Sequence, residues 1–81
     1  MKVAFSNRFV RQYGKLPAAF QARFDKQLGF LLSNFRHPSL RAKKYDEAAN
    51  IRQARVCDQY GFYFQIHGDT YRIPSITSHP K

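Results

Sequence analysis

Fourteen Lys and Arg against five Asp and Glu give these 81 residues a formal charge of +9, more than solubility needs and suited to a polyanionic partner, either nucleic acid or an acidic protein. A chain of this length makes one domain, residues 1–81, and hides only about 60% of its unfolded surface, so its core must be dense in large side chains; eight Phe and five Tyr supply them. One cysteine, Cys57, excludes an internal disulfide, no Cys/His cluster has metal-ligand spacing, and no apolar run approaches the ~20 residues of a membrane span.

Lys2 to Phe5, with Val3 and Phe5, reads as a short strand. Ser6 or Asn7 then caps a helix, because a short side-chain oxygen satisfies the free amides of a first turn. Phe9, Val10 and Tyr13 share a face of that helix, and Gly14 suits its end. Pro17 fits a first helical position, and Phe20, Phe24, Leu28, Leu31 and Phe35 recur every three or four residues, which predicts a long amphipathic helix stopped near His37 by Pro38. The short connection between the two makes them a helical hairpin.

After that the period changes to two. Asn50 to Cys57, Tyr60 to His67 and Thr70 to Thr77 are rich in β-branched and aromatic residues, with turns at Asp58-Gln59 and Gly68-Asp69, so three antiparallel strands are expected. In the middle one Tyr60, Phe62, Phe64 and Ile66 point toward the helices, while Gly61, Tyr63, Gln65 and His67 point away. By the same parity Ala54 and Val56 are core, and Gln53 and Arg55 share the open face. The expected fold is α+β, in the order β-α-α-β-β-β, with the helical hairpin covering one face of a small antiparallel sheet.

Arg36 to Lys44, RHPSLRAKK, crowds Arg36, Arg41, Lys43 and Lys44 into a stretch between the long helix and the sheet, read as a loop. A solvated charge run is the plain explanation. Set beside an open face bearing Arg55 and Tyr63, the same stretch supplies the cations and the aromatic surface that RNA recognition uses. His37 and His67 are expected in capping and turn roles, since neither has a partner at ligand spacing, and Cys57 as an inert buried thiol. No metal or cofactor is expected. The opening MKVAFSNR lacks the apolar stretch of a secretory signal, so a cytoplasmic location without membrane attachment is expected.

PSLRAKKYDE, then ARV, a turn, and YGFYFQIHGDTYRIPSITSHPK, preceded by FVRQYGKLP and RFDKQLGFLLSNFRHPSL, resemble the RelE/ParE superfamily of bacterial toxins along essentially the whole chain. The resemblance implies the toxin of a type II toxin-antitoxin pair, bound by an acidic antitoxin. RelE-like members cut mRNA in the ribosomal A site without a metal: the ribose 2′-hydroxyl attacks the adjacent phosphate, leaving a cyclic phosphate and a free 5′-hydroxyl. ParE-like members instead inhibit DNA gyrase, as protein-binding modules and not enzymes. A non-catalytic RNA-binding domain is a third possibility.

Carried over, the resemblance puts Lys43 and Lys44 in the family's basic loop, where they neutralise the scissile phosphate. It gives Arg55 transition-state stabilisation, with pairing to an acid across the strands as the structural alternative. It makes His79 the general acid, with a frayed tail as the alternative. Tyr63 stacks on a base or assists proton transfer, or else contacts core or antitoxin. Three positions depart from the family pattern. Gly61 replaces the arginine of the YRFYF-type strand, Arg52 stands where many members have tryptophan and points by parity toward the core, and Pro74 interrupts the last strand, where it requires an edge or a bulge. The first of these implies weakened activity, because a charged donor aimed at a developing oxyanion is worth ~3 kcal/mol.

Overall fold

A computed structural model describes residues 2–78. Strand β1 spans Lys2–Phe5, helix α1 Asn7–Gly14 and helix α2 Ala18–Ser33; strands β2 Lys43–Asp46, β3 Ile51–Arg55, β4 Tyr60–His67 and β5 Thr70–Ser78 follow. The five strands form one sheet in the order β1-β5-β4-β3-β2. Both helices lie against one face of it. Phe24 of α2 meets Phe62 of β4 edge-on at 5.2 Å and Phe9 of α1 at 5.1 Å, and Phe64 meets Tyr71 at 5.9 Å. Burying a phenylalanine stabilises by ~1.5–3 kcal/mol, so the buried Phe9, Phe24, Phe62 and Phe64 dominate a fold this small.

The parity of β4 is as expected: Phe62 and Phe64 are buried beneath the helices, and Tyr63 and Gln65 lie half-buried on the opposite face. Ala54 and Val56 are buried as well. The α+β class and the helical hairpin hold, with three differences in detail. Lys43–Asp46, read as loop, is an edge strand antiparallel to β3, with all four residues exposed. β1 runs parallel to β5, so the sheet is mixed. Helix α2 stops at Ser33, because Asn34 turns extended (φ −168°) and its side-chain oxygen accepts the Arg36 N–H at 3.0 Å; a 3-10 turn, Pro38–Leu40, then begins.

Pro74 sits at a bulge. Tyr63 pairs with Ser75 and Gln65 with Arg72, so Ile73 and Pro74 together oppose the single Phe64, and the missing proline N–H interrupts no ladder. The bulge also frees the Pro74 carbonyl, which accepts the Ser6 hydroxyl at 2.6 Å while Ser6 Oγ accepts the Phe9 N–H at 2.9 Å. One side chain therefore caps α1 and ties it to β5. Gln12 adds a second tie, its Oε1 accepting the Ile76 N–H at 3.0 Å. Arg52 does lie on the helix side, half-buried, with its guanidinium 5.1 Å from the centre of the Phe35 ring. A cation–π contact thus occupies the place expected for tryptophan.

Candidate functional site

Cross-strand pairing defines the open face row by row. Lys43 lies opposite Gln53, Gln53 opposite Tyr63, and Tyr63 opposite Ser75. Arg55 lies opposite Gly61, and Gly61 opposite Thr77. Side chains directly across a sheet share a face, so Lys43, Arg55 and Tyr63, from three strands, stand on one surface. Lys44 pairs with Arg52 and takes the other parity. His79 lies outside the described residues; the last of those, Ser78, pairs with Tyr60, next to the Gly61 row.

Lys43 and Arg55 also line a common cleft of about 340 Å³, together with Arg41, Gln53 and Asp58. Arg41 was seen in the sequence only as one charge in a basic run. It caps the 3-10 turn in the left-handed conformation (φ 47°), which costs a non-glycine residue ~1–2 kcal/mol and swings its side chain to the junction of this cleft with a larger one. The larger cleft, about 930 Å³, runs between α2, the 3-10 turn and the β3–β4 turn, and carries Arg23, Lys26, Arg41 and Arg55 around Phe20 and Phe30. Arg55 is an ion-pair partner of Asp58, three residues on in the turn. The acid expected across the strands therefore comes from the hairpin itself, and any phosphate at Arg55 competes with it.

Gln27 holds this region in place. It is 7% exposed, and its Nε2 donates to the Ser39 carbonyl at 3.0 Å and to the Arg55 carbonyl at 2.7 Å. One buried amide thus joins α2 to the segment carrying Arg41 and to the end of β3. A signal was present in the sequence, since Gln27 falls at the core position between Phe24 and Leu31 in the apolar stripe. His37 stacks on Phe30 at 4.0 Å between ring centres, and its Nδ1 accepts the Ser39 N–H at 3.2 Å, which is the capping role expected of it. His67 closes β4 at the turn, opposite Thr70. Cys57 is a free, buried thiol.

Tyr63 carries the exposed Tyr45 ring against it, centres 4.7 Å apart and planes tilted by 55°. Burial first, and the Tyr45 hydroxyl second, hold the Tyr63 phenol above its ordinary 10.0. At neutral pH it is a protonated, neutral ring, suited to stacking and to donating a hydrogen bond and unsuited to removing a proton. Arg72 is on the open face in the row of Gln65, roughly 13 Å along β4 from Gly61 at ~3.3 Å per residue. It does not fill the gap at Gly61. Among the described residues no group of His, Cys, Asp and Glu side chains has a metal-binding arrangement, and no helix is long and apolar enough to cross a membrane.

No family model and no curated protein matches the sequence. Solved structures match over nearly the whole chain. A YoeB/ParE toxin from Agrobacterium tumefaciens superposes with a TM-score of 0.82 at 10% identity, covering 99% of this chain and 100% of that one. The RelE of the archaeal RelE–RelB complex from Pyrococcus horikoshii gives 0.80 at 17% identity, covering 95% and 92%. The YoeB of a Staphylococcus aureus dimer gives 0.82 at 12% identity, covering 99% and 98%. The chain has the fold of the RelE/ParE superfamily, in agreement with the order of its sequence motifs.

Proposed function

We propose that this chain of RelE/ParE fold is the toxin of a type II toxin-antitoxin pair, and that it cuts mRNA on the ribosome by metal-free attack of a ribose 2′-hydroxyl. The observation that carries the reading is the convergence of Lys43, Arg41 and Arg55 on one cleft at the edge of a sheet face that also bears Tyr63. Solved relatives in fold are described as toxin-antitoxin complexes, RelE with RelB and YoeB with YefM among them, which supports an antitoxin as partner. A charge of +9 gives an acidic antitoxin segment a physical reason to bind.

In this mechanism the cations hold the scissile phosphate and the charge that grows on its oxygens. The 2′-oxygen forms a bond to phosphorus as its proton passes to a solvent water, the bond from phosphorus to the 5′-oxygen breaks, and that oxygen gains a proton. The products are a cyclic phosphate and a 5′-hydroxyl. His79 is assigned the proton delivered to the leaving oxygen, and Lys44 to the steering of the backbone from the edge strand. Gly61, where an arginine is expected, and the Asp58 carboxylate on Arg55 both argue for attenuated cleavage. The same two features favour a second reading, a ParE-like inhibitor of DNA gyrase that needs no ribonuclease site.

Mapping of cleavage sites on translating ribosomes, beside a gyrase supercoiling assay, tests the proposal. Cuts with cyclic phosphate ends that diminish when Arg55 and Lys43 are replaced by Ala support the first reading. Inhibited supercoiling with intact mRNA replaces it by the second.

A further inference from the structure

We infer that a groove beside the phosphate cleft, between the start of α1 and the open face, is a subsite for one unpaired nucleobase of single-stranded RNA. The inference rests on the reading of the chain as an RNA-binding protein and adds to it the place where a base is held. The groove has a volume of about 360 Å³ and is lined by Tyr45, Ile51, Tyr63, Ser75, Thr77 and Arg8, among others. Of its walls the sequence singled out only Tyr63, as a ring able to stack on a base; the groove itself is assembled from five separate elements.

Each wall has a chemistry that a nucleotide uses. Tyr45 is 61% exposed, an unusual state for a large ring, and is propped against Tyr63 at 4.7 Å. A propped, exposed ring offers a π-face to a base with little loss of side-chain freedom, and such stacking accepts any base. Ile51 gives the floor an apolar contact. Ser75 and Thr77 place hydroxyls at the far wall, where they meet the hydrogen-bonding edge of a base. Gln12 contributes its amide group, with the carbonyl end engaged by the Ile76 N–H and the NH2 end left as a donor. Arg8 stands at the rim, exposed, in position for a flanking phosphate.

The spacing matches RNA. Lys43 and Tyr45 are alternate residues of the same edge strand, about 7 Å apart along it by the ordinary rise of a strand, comparable to the distance between successive nucleotides in an extended strand. A phosphate on Lys43 and Arg55 therefore leaves an adjacent base over Tyr45. A purely electrostatic surface would need no ring beside it.

The test is a coupling measurement with a fluorescently labelled, unstructured RNA oligonucleotide and a matching series in which each base in turn is replaced by an abasic site. Wild-type protein is expected to bind with roughly tenfold lower affinity when one particular base is missing. Tyr45→Leu is expected to weaken binding of the intact RNA by the same factor and to lose nothing further at that abasic position. Tyr45→Trp, which keeps an aromatic face, is expected to retain affinity, and circular dichroism of both variants checks the fold. Arg8→Ala is expected to lower the slope of log affinity against log salt by about one. If Tyr45→Leu and the abasic site weaken binding independently, or if no abasic position matters, the subsite is refuted while RNA binding stands. Should the wild-type chain bind no RNA at any salt concentration, both the subsite and the reading beneath it are wrong.

Discussion

Gln27→Met removes the one buried amide that joins α2 to the two backbone segments carrying the cleft's cations, and replaces it with an apolar chain of similar length. The two hydrogen bonds, at 3.0 Å to Ser39 and 2.7 Å to Arg55, are each worth about 1 kcal/mol net. The Ser39 carbonyl belongs to an exposed residue, so it recovers water and adds little. The Arg55 carbonyl belongs to a half-buried residue, and leaving it short of a donor costs a further ~1–2 kcal/mol. The expected destabilisation is therefore about 2–4 kcal/mol, a large part of the ~4–12 kcal/mol that a domain of this size possesses. Urea denaturation followed by circular dichroism measures it as a fall in the midpoint with an unchanged slope. Gln27→Glu should be worse at neutral pH, because a carboxylate cannot donate to either carbonyl, and should recover relative to wild type as acid protonates it. A loss below about 0.5 kcal/mol for Gln27→Met, typical of an exposed site, would refute the assignment of Gln27 as the joint between helix and cleft.

Asp58→Asn frees Arg55: RNA affinity is expected to rise roughly fivefold, since a carboxylate ~5 Å from a bound phosphate repels it by about 1 kcal/mol in water, while stability falls by no more than ~1 kcal/mol because the pair is largely exposed; unchanged binding in a fluorescence titration would contradict the site. Gly61→Arg is expected to increase growth arrest and cleavage, by about a hundredfold if the arginine reaches the phosphate, and no increase from a variant that melts like wild type would remove the case for attenuation at Gly61. Tyr13, Tyr63 and Tyr71 all have phenols raised above 10.0, Tyr13 chiefly by its hydrogen bond to Asp25 and the other two by burial. Each raised phenol contributes stability that is complete below pH 10 and is lost as pH climbs through the folded-state value, so phenolate absorbance of the Tyr13, Tyr63 and Tyr71 rings should appear above 10.0, with Asp25→Asn bringing Tyr13 forward; an unmoved Tyr13 in Asp25→Asn would speak against it.

Much of the fold was legible because its elements obey strict periods. Tyr60 to His67 alternates so regularly that the strand and both of its faces follow from the sequence alone, and the three-four spacing from Phe20 to Leu31 predicts the buried side of α2. β2 was not legible because all four of its residues are exposed: a fully solvated edge strand has no apolar alternation, and its register depends on β3. The parallel pairing of β1 with β5 joins Lys2 to Thr70, a contact no local pattern encodes. The pairing of Arg55 and Tyr63 on one surface follows from parity, whereas the roles of Gln27, Arg41 and Tyr45 depend on which segments the tertiary fold brings to them. Pro74 lay between these cases, since its chemistry demanded a bulge or an edge without saying which.

The Ser6–Pro74 link and the parallel pairing of β1 with β5 have a bearing on biosynthesis. β5 lies between β1 and β4 in the sheet, so β1 has no strand partner until residues 70–78 have emerged from the ribosome. Pairings so far apart in sequence form late and slowly. A nascent chain therefore holds Arg8 and Tyr63 on pieces that have not yet met, and the groove they share is complete only once β5 has been made and has paired with β4.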